Sequence, residues 1–156
     1  MSRERRARAR AAGAMVLDNE GVSKAATDRA MYVRLKVAYD DGHRVLTSAA
    51  ILAEVLRGGS RDAGLHRVLA RVAVEPVSEA IGQRAGHLIG AAGMSAGQAV
   101  DAMVAATAIA EAEQAEAADR AASVLIITSD LPYLTKLVAG RTGVAVAYVS
   151  KLGDVS

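Results

Sequence analysis

The chain predicts an α/β domain with a largely parallel sheet, on three observations. Short apolar runs without alternation, at 14–17 and 124–127, read as buried parallel strands. Stretches with helical periodicity separate them, so strands and helices alternate along the chain. The length of 156 residues, 52% of them hydrophobic, suits a single domain with a substantial core.

In order, the first strand covers 14–17, and a helix over about 26–40 carries the stripe Met31, Leu35, Ala38 and Tyr39. Asp41-Gly42 ends it, and 44–47 reads as the second strand. Ser48 is placed to cap a helix bearing Ile51, Leu52 and Val55, which stops at Gly58-Gly59. A helix over about 61–70 precedes a short strand at 72–74, and Pro76 breaks the chain. Ser78 opens a helix with Ile81, Ala85, Leu88, Ile89 and Ala92 on one face. Ser95 and Gln98 form a Ser-x-x-Gln capping pattern before a long Ala-rich helix. Its expected buried face holds Val100, Met103, Val104 and Thr107, and its charged distal part, 111–120, is expected in solvent. The strand at 124–127, a helix over about 131–139, a turn at 140–143 and a last strand at 144–149 complete the domain.

Charge is unevenly spread. Arg3, Arg5, Arg6, Arg8 and Arg10 against Glu4 give the first fourteen residues a balance of +4, which leaves −2 for the rest of a chain whose net charge is +2. Residues 1–13 therefore read as a basic, flexible tail, or as a stretch before a start at Met15, and 14–156 as the folded domain. Such an arm suits nucleic-acid phosphates, although no aromatic residue interleaves with its arginines for base stacking. The absence of cysteine excludes disulfides and thiolate metal sites and fits a cytoplasmic location. No apolar run approaches the roughly 18 residues of a membrane span. His43, His66 and His87 have no metal-ligand spacing, and 90–97 does not match a phosphate-binding glycine loop. Arg57, Arg61, Arg67 and Arg71 read as a solvated basic edge, with RNA phosphates or an acidic protein segment as the functional alternatives.

Four acids stand out by position. Asp18 and Asp130 directly follow apolar strands, while Glu54 and Asp101 interrupt apolar helical stretches. Each has an ordinary explanation. Asp18 suits a turn with Asn19 and Gly21, and Glu54 a pair with Arg57 or an outward direction. Asp101 suits the first turn of a helix, and Asp130 an N-cap before Pro132. Together they point to the carboxyl ends of parallel strands, where such sheets bind ligands. Carboxylates gathered there repel one another unless a cation or protons neutralise them. Mg²⁺ and Mn²⁺ take oxygen ligands and keep several waters, so three or four carboxylates suffice for one or two ions. Thr128 and Ser129 are placed to orient a carboxylate or a water.

These segments, Met15-Val16-Leu17-Asp18, Ile51-Leu52-Ala53-Glu54-Val55, the run from Val100-Asp101 to Ala108, and Ile126-Ile127-Thr128-Ser129-Asp130, resemble the PIN domain and especially the small VapC-like toxins of bacterial toxin–antitoxin pairs. The resemblance spans about 14–150 through the order and spacing of its motifs. It implies a three-layer α/β/α fold and a metal-dependent endoribonuclease. It also implies a Mg²⁺ or Mn²⁺ site formed by Asp18, Glu54, Asp101 and Asp130 with Thr128 in support, a cognate antitoxin protein and a homodimer. Asn19-Glu20-Gly21 departs from the small or hydroxyl residues of many relatives, and Gln98 stands where some place a further acid. The rival readings are an inactive PIN-like module that binds RNA or protein, and an aspartyl phosphatase, for which the second Asp at two-residue spacing is missing. A small antitoxin-like reading frame directly upstream separates the first reading from its rivals.

Overall fold

Five strands, β1 (Ala14–Leu17), β2 (Arg44–Ser48), β3 (Ala73–Glu75), β4 (Val124–Thr128) and β5 (Val144–Tyr148), form one sheet in the order β3-β2-β1-β4-β5. All four neighbouring pairs are parallel. The computed structural model describes residues 3–4, 13–120 and 122–149. The expected basic tail at 1–13 therefore lies almost entirely outside the described residues.

The helices are α1 (Asn19–Thr27), α2 (Arg29–Asp40), α3 (Ala49–Val55), α4 (Ala63–Leu69), α5 (Glu79–Ala91), α6 (Ala99–Ala117) and α7 (Leu131–Leu137), with 3₁₀ turns at Ser60–Asp62 and Ala96–Gln98. From β1 the chain steps outward to β2 and β3, then returns past β1 to β4 and β5. Helices α1–α4 pack as one layer on the sheet and α5–α7 as the other, the arrangement that the right-handed crossover rule dictates for this strand order, giving the three-layer α/β/α architecture that the sequence predicts. The contacts agree: α1 packs against α2, α3 and α4, and α6 packs against α5 and α7. The direction of winding reverses between β1 and β4, where Leu17 pairs with Ile127.

With no Phe or Trp in the chain, the core is aliphatic. Val16, Leu17, Leu46, Ile126, Ile127 and Leu134 are completely buried. Each such side chain contributes about 1.5–3 kcal/mol relative to exposure. Helix α6 runs through the centre of its layer and buries alanines around most of its circumference, among them Ala102, Ala105, Ala106 and Ala108. A helix apolar on all sides is one packed on all sides.

Several expectations need correction. The helix expected at about 26–40 starts at Arg29, and a further helix, α1, occupies the stretch read as a turn after Asp18. Asp28 separates them and caps α2, accepting from the amides of Ala30 and Met31. Tyr39, expected on the buried stripe, is 55% exposed. Ser95 and Gln98 make no side-chain capping bond; the chain enters α6 through a 3₁₀ turn instead. Glu111, expected in solvent, is buried, and its Oε1 lies 3.0 Å from Nε of Arg44. Arg44 also pairs with Glu75, so one guanidinium at the start of β2 ties α6 to β3. Ser48 and Ser78 do cap α3 and α5, as expected.

Candidate functional site

The reversal point between β1 and β4 positions Asp18. Its amide donates to the carbonyl of Ile127 at 3.1 Å, which extends the ladder one residue beyond the strand. The chain then turns at once into α1. Gly21 permits this, since a Cβ there would lie 3.2 Å from Cβ of Leu17 and 3.4 Å from the Ile127 carbonyl oxygen. Asp18 is 2% exposed. Its Oδ1 accepts from the Gly21 amide at 2.9 Å and its Oδ2 from the Ser129 amide at 3.3 Å. The Thr128 side chain adds a further hydrogen bond. Burial raises the carboxyl above the ordinary aspartate range, and these three hydrogen bonds oppose that rise. Glu20 lies at the rim and adds to the repulsion at Asp18.

Thr128 is completely buried at the end of β4. Its hydroxyl bonds to Asp18 and accepts the Asp130 amide at 2.9 Å. One hydroxyl thus fixes the first acid and the backbone of the last. Thr128→Val is expected to strand both groups and cost about 1–3 kcal/mol in urea unfolding at neutral pH. Thr128→Ser, which loses only a methyl group worth about 0.8 kcal/mol, is expected to stay close to the parent.

Asp130 precedes α7, yet its carboxylate makes no capping hydrogen bond and is exposed. Glu54 is half-buried on α3. Arg57 turns away from it and donates to the carbonyls of Ala53 and Leu56. Asp101, in the first turn of α6, is half-buried as well. Its pKa is pushed up to about 6, first by burial and then by the charges of Asp18, Asp130 and Glu54. A helix N-terminus by itself favours the ionised form, so burial and repulsion outweigh the helix dipole here. The other three acids singled out in the sequence thus each lie within electrostatic reach of Asp101, from β1, α3 and the β4–α7 junction.

Among the described residues, no three His, Cys, Asp or Glu side chains close into a ready-made metal-binding group. Asp18, Glu54 and Asp130 act on Asp101 through space without forming a coordination shell. The donor set is nonetheless all oxygen, and it carries a repulsion that a cation relieves. That chemistry fits Mg²⁺ or Mn²⁺, whose retained waters span gaps between carboxylates.

Two residues escaped the sequence reading. Asp62 is buried and accepts from the amides of Arg57 and Gly58 at 2.9 and 2.7 Å, which holds its carboxyl below the ordinary range and closes the loop after α3. Its signal was the Gly58-Gly59 pair, whose positive φ angles leave amides to be satisfied. Tyr133 lies one helical turn after Asp130, and that i, i+3 spacing was its signal. Away from the acids, an open depression of 980 Å³ on the α2 face is lined by Met15, Arg29, Val33, Val37, His43 and Leu125. It includes none of the four carboxylates.

The family model of the PIN domain matches residues 15–131, a span that contains Asp18, Glu54, Asp101, Thr128 and Asp130. Among solved structures, a chain in the crystal structure of VapBC2 from Rickettsia felis bound to a DNA fragment from their promoter is similar, with a TM-score of 0.62 and 16% sequence identity. The match covers 86% of the present chain and 98% of that one. At this identity the likeness is one of fold. Comparison with curated proteins gives no match.

Proposed function

The chain belongs to the PIN domain family, whose members are generally nucleases, and from that premise we propose that it is a metal-dependent endoribonuclease, the toxin of a VapBC-like toxin–antitoxin pair. The observation that carries this reading is the electrostatic state of Asp101. Three other carboxylates, drawn from distant parts of the chain, act on it at the reversal point of the sheet. A fold gains nothing in stability from such repulsion, and sites that sacrifice stability in this way are typically functional.

In this reading Asp18, Glu54, Asp101 and Asp130 hold Mg²⁺ or Mn²⁺. The cation supplies Lewis-acid stabilisation of the charge that develops on a phosphodiester during hydrolysis. The protein contributes placement. Three hydrogen bonds hold Asp18 on one heading, while Asp130, free of capping duty, remains available to a ligand. Asp101 must shed its proton before it can ligate, and with a pKa of about 6 it does so at neutral pH. RNA is the proposed substrate and a cognate antitoxin the proposed protein partner. A homodimer and a cytoplasmic location complete the proposal. Among the described residues no helix is long and apolar enough to cross a membrane.

The test is cleavage of total RNA by the purified chain with Mg²⁺, with Mn²⁺ and with chelator, alongside Asp18→Asn. Asparagine retains an acceptor for the Gly21 amide and removes the charge, so the variant is expected to fold and to lose cleavage. A folded parent protein that binds RNA and leaves it intact with either metal would favour the inactive binding module instead.

A further inference from the structure

The four arginines that read as one basic edge are divided by the fold. Strand β2 ends at Ser48 and α3 begins at once, so α3 stands at the carboxyl ends of the strands, where Asp18 and Asp130 also lie. Arg57 follows α3, and Arg61 sits in the 3₁₀ turn that leads into α4. Arg71 lies past the far end of α4, just before β3, and so belongs to the amino ends of the strands. Arg67 lines a small depression with Thr27 and Asp28 at the α1–α2 junction. Of the four, Arg57 and Arg61 are the pair on the side of the acids.

Arg57 is exposed. Its Nη1 donates to the carbonyls of Ala53 at 3.1 Å and Leu56 at 2.8 Å. The guanidinium is thereby pinned beside the residue that precedes Glu54, yet it forms no ion pair. Its Nε and Nη2 are left to donate elsewhere. Arg61 is exposed and likewise forms no ion pair among the described residues. The loop that carries both is fixed. Buried Asp62 accepts the amides of Arg57 and Gly58, and Gly58 and Gly59 take φ angles of 78° and 138°. A Cβ on either glycine would meet nothing within 4 Å, so these glycines serve the turn and not a close packing contact. The α3–α4 connection therefore holds two guanidinium groups without ion-pair partners on an ordered, uncovered backbone.

The neighbouring crevice is anionic, and a polyanion entering it needs positive charge on its flank. Resting on the nuclease reading above, we propose that the α3–α4 loop is the phosphate-binding edge of the crevice, where Arg57 and Arg61 hold the RNA backbone beside Glu54. The planar guanidinium fork suits a phosphate group. No aromatic residue occurs from 56 to 62, so the grip is on the backbone and carries no base preference. RNA fits this surface better than an acidic protein segment does. None of the exposed large hydrophobic side chains lies in the loop, so a protein would find charge there without an apolar anchor. A phosphate backbone needs only the charge.

The experiment follows binding of a fluorescein-labelled single-stranded RNA oligonucleotide of mixed sequence by anisotropy, in chelator so that the strand stays intact, over a series of monovalent salt concentrations. It compares the full chain with Arg57→Gln/Arg61→Gln, with Arg57→Lys/Arg61→Lys and with Arg71→Gln. The glutamine pair is expected to weaken binding about 10–30-fold near 0.1 M salt and to lower the salt slope by about 1.4, two phosphate contacts at about 0.7 each. The lysine pair keeps the charge and is expected to keep the slope, as is Arg71→Gln at the other end of α4. In Mg²⁺-supported cleavage the glutamine pair is expected to raise KM and leave kcat unchanged. A glutamine pair with the parent's affinity and slope would overturn the proposal and leave the nuclease reading standing. If that pair also loses binding to poly-glutamate, the partner of the loop is an acidic protein segment. An equal fall of slope in Arg71→Gln, or in the lysine pair, would overturn it too, the first by spreading the effect over the whole layer and the second by assigning the arginines to folding. A parent that binds no RNA would overturn it outright. RNA held through Arg57 and Arg61 but left uncut with Mg²⁺ and Mn²⁺ would defeat the nuclease reading alone.

Discussion

Asp101→Asn is expected to abolish RNA cleavage while leaving the metal-free protein more stable than the parent at neutral pH. The two effects share one cause. The carboxyl of Asp101 is pushed up to about 6 by burial and by three neighbouring acids, so ionising it at pH 7 costs the folded state free energy. Asparagine has nearly the same shape without the charge. The gain, discounted for partial exposure, is about 1–2 kcal/mol. In a domain of this size that corresponds to roughly 2–8 °C in melting temperature. The loss of activity is expected to reach at least about 10²–10³-fold, the scale for removing one group that stabilises transition-state charge. It should fall on kcat more than on RNA affinity, since the group acts as charge develops rather than in the encounter. Full cleavage by folded, nuclease-free Asp101→Asn would take Asp101 out of the mechanism. A variant less stable than the parent would show that the carboxylate serves the helix N-terminus instead.

What the sequence made legible follows from which signals are local. The parallel strands show as uninterrupted apolar runs because both faces of the sheet are covered, and Val16, Leu46 and Ile126 are indeed fully buried. The positions of Asp18 and Asp130 at strand ends were legible for the same reason: each is the first charge after such a run. Ser48 and Ser78 announced their helices because a cap is a contact with the next few residues. Helix α1 was not legible. Asn19-Glu20-Gly21 has turn chemistry, and the helix forms because Asp18 caps it and the sheet receives Val22 and Ala25. The sequence at Gly21 cannot distinguish a turn from a close approach. Glu111 read as solvent-facing because its partner, Arg44, is 67 positions away along the chain. Tyr133 showed only as a spacing from Asp130, because its missing hydrogen-bond partner is a property of the folded neighbourhood alone. The electrostatic coupling of Glu54 to Asp101 likewise emerges only once α3 and α6 pack together.

The second large effect concerns metal and pH together. Saturating Mg²⁺ or Mn²⁺ is expected to raise the melting temperature, because a ligand that binds only the folded state stabilises it by about 2.7 kcal/mol at 100 times its dissociation constant. That amounts to roughly 5–11 °C here. The increment must depend on pH, and its sign can be derived. Asp101 has a folded-state pKa of about 6 against an ordinary 3.8. A raised carboxyl contributes stability to the metal-free fold that is fully present below 3.8 and is lost as pH rises through 6. Asp18 is displaced in the same direction and adds to this trend. Metal binding runs the opposite way, because the ligand must be ionised, so the cation competes with the proton and its affinity falls below pH 6. The gap between metal-loaded and metal-free melting temperatures is therefore expected to be widest above pH 7 and to close toward pH 5. Differential scanning at a series of pH values, with monovalent salt matching the ionic strength, measures it directly. A gap independent of pH would mean that the cation screens the surface generally and does not meet Asp101, since screening has no proton to displace.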